Sequence, residues 1–137
     1  MKLLLDINIV LDVVLERTPW VAEAALLLSA VEEGQADGFV AGHTITTLYY
    51  IVSKEKGRAA AATAVTDLLR IVRVVPLGDS DFHQALILGL EDFEDAVQAA
   101  AALKIGAAYL ITRNEKDYKG APVQARSAGE VLGFLSE

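Results

Sequence analysis

The chain has 137 residues, of which 53% are hydrophobic, and its formal net charge at pH 7 is −7. That length suits one domain, which we expect to span residues 1–137. Because the chain has no cysteine, disulfides, thiolate metal sites and a cysteine nucleophile are excluded, and we expect a cytoplasmic protein. No apolar run approaches the roughly 18–20 residues that cross a membrane. The negative charge argues against a protein that coats nucleic acid, but it is compatible with a nuclease whose carboxylates bind cations.

Short apolar strands alternate with helical patterns along the chain, which predicts an α/β fold with a mostly parallel sheet. The first strand, Lys2–Leu5, is a continuous apolar run that stops at Asp6, as expected of a buried strand. Thr18 and Pro19 predict a helix that begins with a cap followed by proline. Further strands are predicted at 38–41, 72–75 and 108–111, with a weak one near Val123. Further helices are predicted after Asp6, over 45–52, 61–72, 82–90 and Phe93–Ile105, and after a capping box at 127–130.

Polar residues follow two of the predicted strands directly. Asp6 closes the first strand, and Asn114 and Asp117 follow the strand at 108–111. In open α/β sheets, ligands bind beyond the carboxyl ends of the strands. We therefore expect these side chains to lie at one edge of the sheet.

A third acidic segment lies at the start of the predicted helix Phe93–Ile105. Asp92, Glu94 and Asp95 crowd its start, so three separate segments can bring carboxylates together. Clustered carboxylates repel one another, and a cation usually neutralises them. Oxygen ligands suit Mg²⁺ or Mn²⁺, and such an ion can activate water and stabilise charge on a phosphate.

The same residues also have structural interpretations. Asp92 is a good N-cap, while Glu94 and Asp95 in a first turn would complement the helix dipole. Asn114 with Asp117 three residues later is also the pattern of an ordinary helix cap. Spacing alone leaves both interpretations open.

Among the other polar positions, Asp6 is the hardest to explain by structure alone, and Asp12, His43 and His83 are less informative. Asp6 follows an apolar run, so it lies near the core and needs a partner. Asp12, on the next predicted helix, has either a hydrogen-bonding role or a functional one. His43 and His83 lack metal-ligand spacing, which favours capping or surface roles.

Three segments together resemble the PIN domain family. They are LLLDINIVLD from Leu3, DFEDA from Asp92 and TRNEKDY from Thr112, and they occur in the order that the family uses. The family includes the toxin ribonucleases of bacterial VapBC-type toxin–antitoxin pairs. The resemblance implies a three-layer α/β/α fold, with a central sheet flanked by helices and Mg²⁺ or Mn²⁺ at a carboxylate cluster.

The resemblance also implies roles for particular residues. Asp6, Asp95 and Asp117 would be catalytic metal ligands. Asn114 would act beside them, and together with Asn8 and Thr112 it would orient ligands or substrate through hydrogen bonds.

One position departs from the family's pattern. Many PIN nucleases carry a glutamate on the helix after the second strand, and here the matching residue is Thr47. A hydroxyl cannot supply that charge, so either the metal is held more weakly or Glu94 or Asp92 compensates. This gap makes a weakly catalytic module that binds RNA or a protein partner the main alternative to an endoribonuclease with an RNA substrate and a cognate antitoxin. A nucleophilic-aspartate phosphatase is disfavoured, since its second aspartate would stand at Asn8.

The helix around 44–54 is expected to lie at a homodimer interface. One face should pack on the sheet, and it comprises Ile45, Leu48, Tyr49 and Val52. Tyr50 and Ile51 then fall outside that stripe, and a second protomer would cover them, with Trp20 joining the same surface. The alternative is that another helix of the same chain covers them.

Overall fold

A computed structural model describes residues 1–136, so Glu137, the last residue of the predicted 1–137 domain, lies outside the described residues. Five strands form one parallel sheet in the order β3-β2-β1-β4-β5. The strands are β1 (Lys2–Leu5), β2 (Asp37–Ala41), β3 (Arg73–Val75), β4 (Tyr109–Ile111) and β5 (Ala125–Arg126). The helices are α1 (Ile7–Val14), α2 (Val21–Glu32), α3 (Gly42–Lys56), α4 (Arg58–Ile71), α5 (Asp79–Leu88), α6 (Phe93–Ile105) and α7 (Ala128–Leu135), with a 3₁₀ turn at Glu115–Tyr118.

The central strand β1 separates two apolar cores. Because side chains alternate along a strand, Leu3 and Leu5 face one core and Leu4 faces the other. The first core lies under α1 to α4 and α7, and the second lies under α5 and α6. The prediction of a three-layer α/β/α fold with a central parallel sheet is therefore confirmed.

Helix α6 packs directly against the middle of the sheet. Its residues from Ala96 to Ala102 are all buried, and five of these seven are alanine. Small side chains let the helix approach the strands closely, and a helix that is apolar nearly all round belongs in a core. Its N-terminus consequently lies near the carboxyl end of β1.

The capping box predicted for the last helix is confirmed. The hydroxyl of Ser127 accepts a hydrogen bond from the backbone N–H of Glu130 at 3.2 Å. The Glu130 carboxylate in turn accepts one from the backbone N–H of Ser127 at 3.2 Å. These bonds satisfy donors at the helix start that would otherwise lack partners.

Helix α2 begins later than predicted. The prediction of a cap at Thr18 with Pro19 in the first helical position is wrong, because residues 18–20 form a turn and the helix starts at Val21. That turn is closed by the backbone N–H of Val21, which donates to the carbonyl of Arg17 at 2.8 Å. The other predicted elements are present with ends shifted by a few residues; α5, for example, starts at Asp79 instead of 82.

Helix α3 faces the core differently from the prediction. Leu48 and Val52 are buried, but Tyr49 is 39% exposed, so its placement on the sheet-packing face is wrong. Ile51 is half-buried and packs against the chain's own core, whereas Tyr50 is 58% exposed. The sheet-facing stripe of this helix is therefore narrower than predicted.

The ring of Trp20 stacks under the guanidinium of Arg113, which lies in the loop after β4. The side chain is still 43% exposed, and its place at a dimer surface stays a prediction. Within residues 1–136, no helix is both long and apolar enough to cross a lipid bilayer.

Candidate active site

Parallel pairing of β1 with β4 brings Asp6 next to Thr112. Leu5 is in register with Ile111, so the residues that follow them are neighbours. The hydroxyl of Thr112 donates to Oδ2 of Asp6 at 3.0 Å, and both side chains are buried. Burial raises the pKa of Asp6, and the hydrogen bond from Thr112 opposes that rise.

The same hydroxyl reaches the loop that follows β4. Thr112 Oγ1 accepts a hydrogen bond from the backbone N–H of Asn114 at 3.1 Å. The backbone N–H of Asp117 then donates to the carbonyl of Asn114 at 3.0 Å, at the start of the 3₁₀ turn. One buried hydroxyl thus ties the acid of β1 to the loop that presents Asn114 and Asp117, which are both exposed.

Asp92 caps helix α6. Its Oδ1 accepts a hydrogen bond from the backbone N–H of Asp95 at 3.0 Å, which confirms the structural interpretation of Asp92. Only the backbone of Asp95 takes part in this cap. Its side-chain Oδ1 accepts a hydrogen bond from the hydroxyl of Tyr118 at 3.2 Å.

Tyr118 was not predicted to contribute to the site. It is buried, and the 3₁₀ turn places its side chain inward while Asp117 stays exposed. Burial raises the pKa of its hydroxyl, and the charges of Asp6 and Asp95 raise it further, so Tyr118 stays a neutral donor. The only sequence signal was an aromatic residue at the end of the segment TRNEKDY.

The carboxyl of Asp95 is influenced by other acids of the site. Its pKa is raised to about 6, chiefly because the carboxyl is partly buried and then because Asp92, Asp6 and Asp117 add negative charge. The hydrogen bond from Tyr118 acts in the opposite direction. Asp6 and Asp117, the other two predicted ligands, therefore both act on Asp95, although the three come from separate segments.

A cavity of about 370 Å³ opens beside Asp95. Asp92, Asp95 and Asp117 line it together with Lys116 and Lys119. Asp6 is not among the described residues that line this cavity, because it is buried against Thr112.

The donor chemistry suits a hard divalent cation, because the groups are carboxylate oxygens that repel one another. The distances between the carboxylates are less favourable for binding a cation. Among residues 1–136, no three acidic or histidine side chains lie close enough to ligate a single ion. In the structure, the charges of Asp6 and Asp117 thus act on Asp95, but the three carboxylates do not form a closed coordination shell.

Neutral polar side chains stand at the position of the missing acid and one turn before it on α3. Thr47 donates to the carbonyl of His43 in its own helix at 3.1 Å. One turn earlier, the buried Thr44 accepts a hydrogen bond from Nε2 of Gln98 at 3.2 Å. The Oε1 of Gln98 has no hydrogen-bond partner within the described residues. Gln98 was overlooked, although it is the lone polar residue in the alanine-rich stretch of α6.

Glu94 adds negative charge to the same region. Its carboxylate raises the pKa of Asp6, and it opposes the lowering that burial imposes on the pKa of His43. Asn8 lies half-buried in the first turn of α1, directly after the strand that ends at Asp6. The charge of Glu94 thus acts on Asp6 and His43, and the charge of Asp92 acts on Asp95 in addition to its capping role.

The loop after β4 is anchored by an ion pair that the sequence did not reveal. Arg113 Nε lies 3.1 Å from Oδ2 of the fully buried Asp12, although its N–H is not aligned for a hydrogen bond. The Arg113 guanidinium stacks 3.8 Å from the centre of the Trp20 ring. Asp12 is thus an internal partner of the loop, although neither of its carboxylate oxygens has a hydrogen bond within the described residues.

The raised pKa of Asp95 predicts a pH-dependent effect of Asp95→Asn in the presence of a chelator. A carboxyl whose pKa rises to about 6 on folding stabilises the fold at low pH, and that contribution is lost as the pH rises through 6. The charged form should therefore destabilise the fold above pH 7 by on the order of 1 kcal/mol, after allowance for solvent screening. Calorimetry should show a melting temperature roughly 3–5 °C higher for Asp95→Asn at pH 7.5 and no gain at pH 4.

Asp37→Asn is the matched control, because Asp37 is exposed at the amino end of β2, away from the site. It should leave the melting temperature unchanged at both pH values. The same gain for Asp95→Asn at pH 4 as at pH 7.5 would contradict the electrostatic origin of the effect.

Comparison with known proteins assigns the chain to a family. A model of the PIN domain family matches residues 2–116. Ribonuclease VapC1 of Aquifex aeolicus (strain VF5) is 24% identical over 134 residues, which are 94% of this chain and 92% of that protein. The structure of DNA-bound VapBC from Salmonella typhimurium matches with a TM-score of 0.73 at 13% identity, covering 93% of this chain and 98% of that chain.

A second solved structure gives the same picture. VapC20 of Mycobacterium tuberculosis, a toxin described as cleaving the sarcin-ricin loop, matches with a TM-score of 0.65 at 18% identity, covering 79% of this chain and 86% of that chain. These structural likenesses agree in fold, and the family model spans most of the sequence. The chain belongs to the PIN domain family.

Proposed function

We propose that the protein is a metal-dependent endoribonuclease that cleaves RNA phosphodiester bonds, with Mg²⁺ or Mn²⁺ held by Asp6, Asp95 and Asp117. The observation that carries the proposal is that Asp95 and Asp117, from separate segments, line one cavity. Burial and then the charges of Asp92, Asp6 and Asp117 raise the pKa of Asp95 to about 6. Repulsion of this kind is costly for a fold unless a cation offsets it, and raised carboxyl pKa values cluster at functional sites. The relative from Aquifex aeolicus is named a ribonuclease, which supports the same reaction.

The chain's own residues have separable parts in this proposal. A bound divalent ion would lower the pKa of a water molecule and stabilise charge on the phosphate. Thr112 and Tyr118 hold the carboxylates of Asp6 and Asp95 by hydrogen bonds and so limit their rotation. Asn114 is exposed after β4, where its amide can orient substrate.

Three further residues tune the site in the proposal. Asn8, in the first turn of α1, would orient a ligand beside Asp6. Glu94 would supply charge that Thr47 lacks, and Asp92 would act indirectly by capping α6 and by raising the pKa of Asp95. Thr47 itself is turned to a carbonyl of its own helix, which favours the second candidate, a weakly catalytic PIN module that binds RNA or a protein partner.

We infer that an antitoxin is the protein partner, and that one of its apolar segments binds a groove between α1 and α4. The groove has a volume of about 540 Å³, and its walls are mostly apolar, with Lys56 and Asp67 as charged members. Val13, Val14 and Ala64 contribute to its surface. The VapBC structure from Salmonella typhimurium, which has a similar fold, is a toxin–antitoxin assembly and supports this choice of partner.

We also propose a homodimer that buries Tyr49 and Tyr50 of α3. Both side chains are exposed in the single chain, and Lys54 lies 4.8 Å from the centre of the Tyr50 ring. Adjacent exposed aromatic residues often mark a contact with another protein. A second exposed apolar pair, Leu86 and Ile87 on α5, is the rival surface.

The proposed reaction predicts that Asp95→Asn loses most metal-dependent cleavage of a labelled RNA. Removing a charged group at such a site should lower the rate by about 100-fold or more. The assay compares wild-type protein, Asp95→Asn and the exposed control Asp37→Asn, each with Mn²⁺ and with a chelator. Unchanged cleavage by a nuclease-free Asp95→Asn preparation would refute the assignment of Asp95. RNA binding without cleavage in either metal would favour the second candidate.

The groove predicts that Thr63→Glu weakens binding of the protein encoded by the adjacent reading frame, measured by co-purification after co-expression. Thr63 is exposed and lines the groove, so a carboxylate there would meet an apolar partner segment. Thr66→Glu is the matched control, since Thr66 is exposed on the same helix but does not line the groove. Equal recovery of the partner with both variants would eliminate the groove as its binding site.

The exposed tyrosines predict that Tyr49→Glu with Tyr50→Glu converts a dimer into a monomer. Light scattering during size-exclusion chromatography measures the mass at tens of micromolar protein. Leu86→Glu with Ile87→Glu should leave the dimer intact. A monomeric wild-type protein would disprove the dimer, and dissociation caused only by the α5 variant would move the interface to that helix.

A further inference from the structure

The segment that follows β4 is basic, in contrast to the acidic chain as a whole. Residues 113–126 contain four of its twelve lysines and arginines and two acids, so the segment carries a net charge of +2 (four minus two). The chain as a whole carries −7, so the remaining residues together carry −9 (−7 minus +2). This basic segment connects β4 to β5 at one edge of the sheet.

Two of its four cations are engaged inside the protein. Arg113 pairs with the buried Asp12, and Arg126 lies 3.4 Å from a carboxylate oxygen of Glu130. Lys116 and Lys119 are exposed, and neither amine has a carboxylate within 4.0 Å in the described part of the chain. These two lysines are therefore available to an external anion.

The two lysines also stand between two cavities. Both line the cavity of about 370 Å³ that contains Asp95 and Asp117. Both also line a second cavity of about 530 Å³, which continues toward Arg126 and the β5 edge. Lys116 and Lys119 thus form a positive ridge beside a strongly acidic pocket.

We propose that Lys116 and Lys119 bind the phosphate backbone of single-stranded RNA, so that one phosphate lies beside the acids and its neighbours continue across the ridge into the second cavity. This inference rests on the proposed function and names the surface that its substrate would use. A lysine ammonium binds phosphate as a point charge without fixing a base sequence. Without such cations, the acidic pocket would repel a polyanion.

The test measures the affinity of a short unstructured RNA for the full chain by fluorescence anisotropy, in chelator and at several salt concentrations. Lys116→Gln with Lys119→Gln should weaken binding about tenfold or more at low salt. It should also reduce the slope of log affinity against log salt by about 1.4, since each phosphate contact with a single strand contributes about 0.7. The control Arg58→Gln with Arg73→Gln removes the same charge from exposed positions on α4 and β3, where β3 is the opposite edge of the sheet. It should change neither quantity.

Each outcome bears on one hypothesis. Lysine-dependent binding of RNA supports the ridge, even if no metal restores cleavage, in which case only the nuclease proposal fails. If the lysine variant binds RNA with the wild-type affinity and salt slope, the ridge is overturned, even where cleavage depends on Asp95. The ridge is also overturned if wild-type protein does not bind the RNA, or if it binds a polyglutamate peptide equally well.

Discussion

The hydrogen bond between Thr112 and Asp6 is the contact on which the arrangement of the site depends. A carboxylate at the end of a buried strand is costly unless it has partners. Thr112 supplies one partner and at the same time accepts a hydrogen bond from the loop that carries Asn114 and Asp117. This geometry follows from the register of β1 and β4, because a shift of one residue would turn each side chain to the opposite face.

The alanine-rich face of α6 provides the second constraint. Small side chains allow the helix to lie close to β1, which brings Asp95 within electrostatic reach of Asp6. Carboxylates therefore repel one another at the N-terminus of α6, while the rest of that helix is well packed. Functional sites often conflict in this way with the local rules that stabilise the rest of a protein.

Much of the fold could be predicted because its signals are local. Continuous apolar runs predicted the buried strands, and the polar residues directly after them predicted which edge of the sheet carries the site. The contributions of Tyr118 and Gln98 could not be predicted, because each depends on a partner distant in sequence: Asp95 in one case and Thr44 in the other. For the same reason the pairing of Asp12 with Arg113 was not apparent.

The error in α3 has a related cause. The helical period predicted which residues share a face, but it could not predict how wide a stripe the neighbouring elements would cover. Tyr49 lies at the margin of that stripe and is exposed. The contact of the Trp20 ring with Arg113 could not be predicted either, because the two residues are far apart in sequence.

Because residue 47 is a threonine, the site carries one negative charge fewer than it would with a glutamate there. A fourth acid on α3 would strengthen the hold on a cation, but it would also add repulsion to a group in which the pKa of Asp95 is already raised to about 6. The buried pair of Thr44 and Gln98 is neutral, so it avoids that added repulsion. Under the proposed function, the metal is then held by fewer charges, and binding should rely more on the substrate phosphate as a further ligand. Metal and RNA would consequently strengthen each other's binding, and the basic ridge formed by Lys116 and Lys119 would contribute to retaining the metal without contacting it.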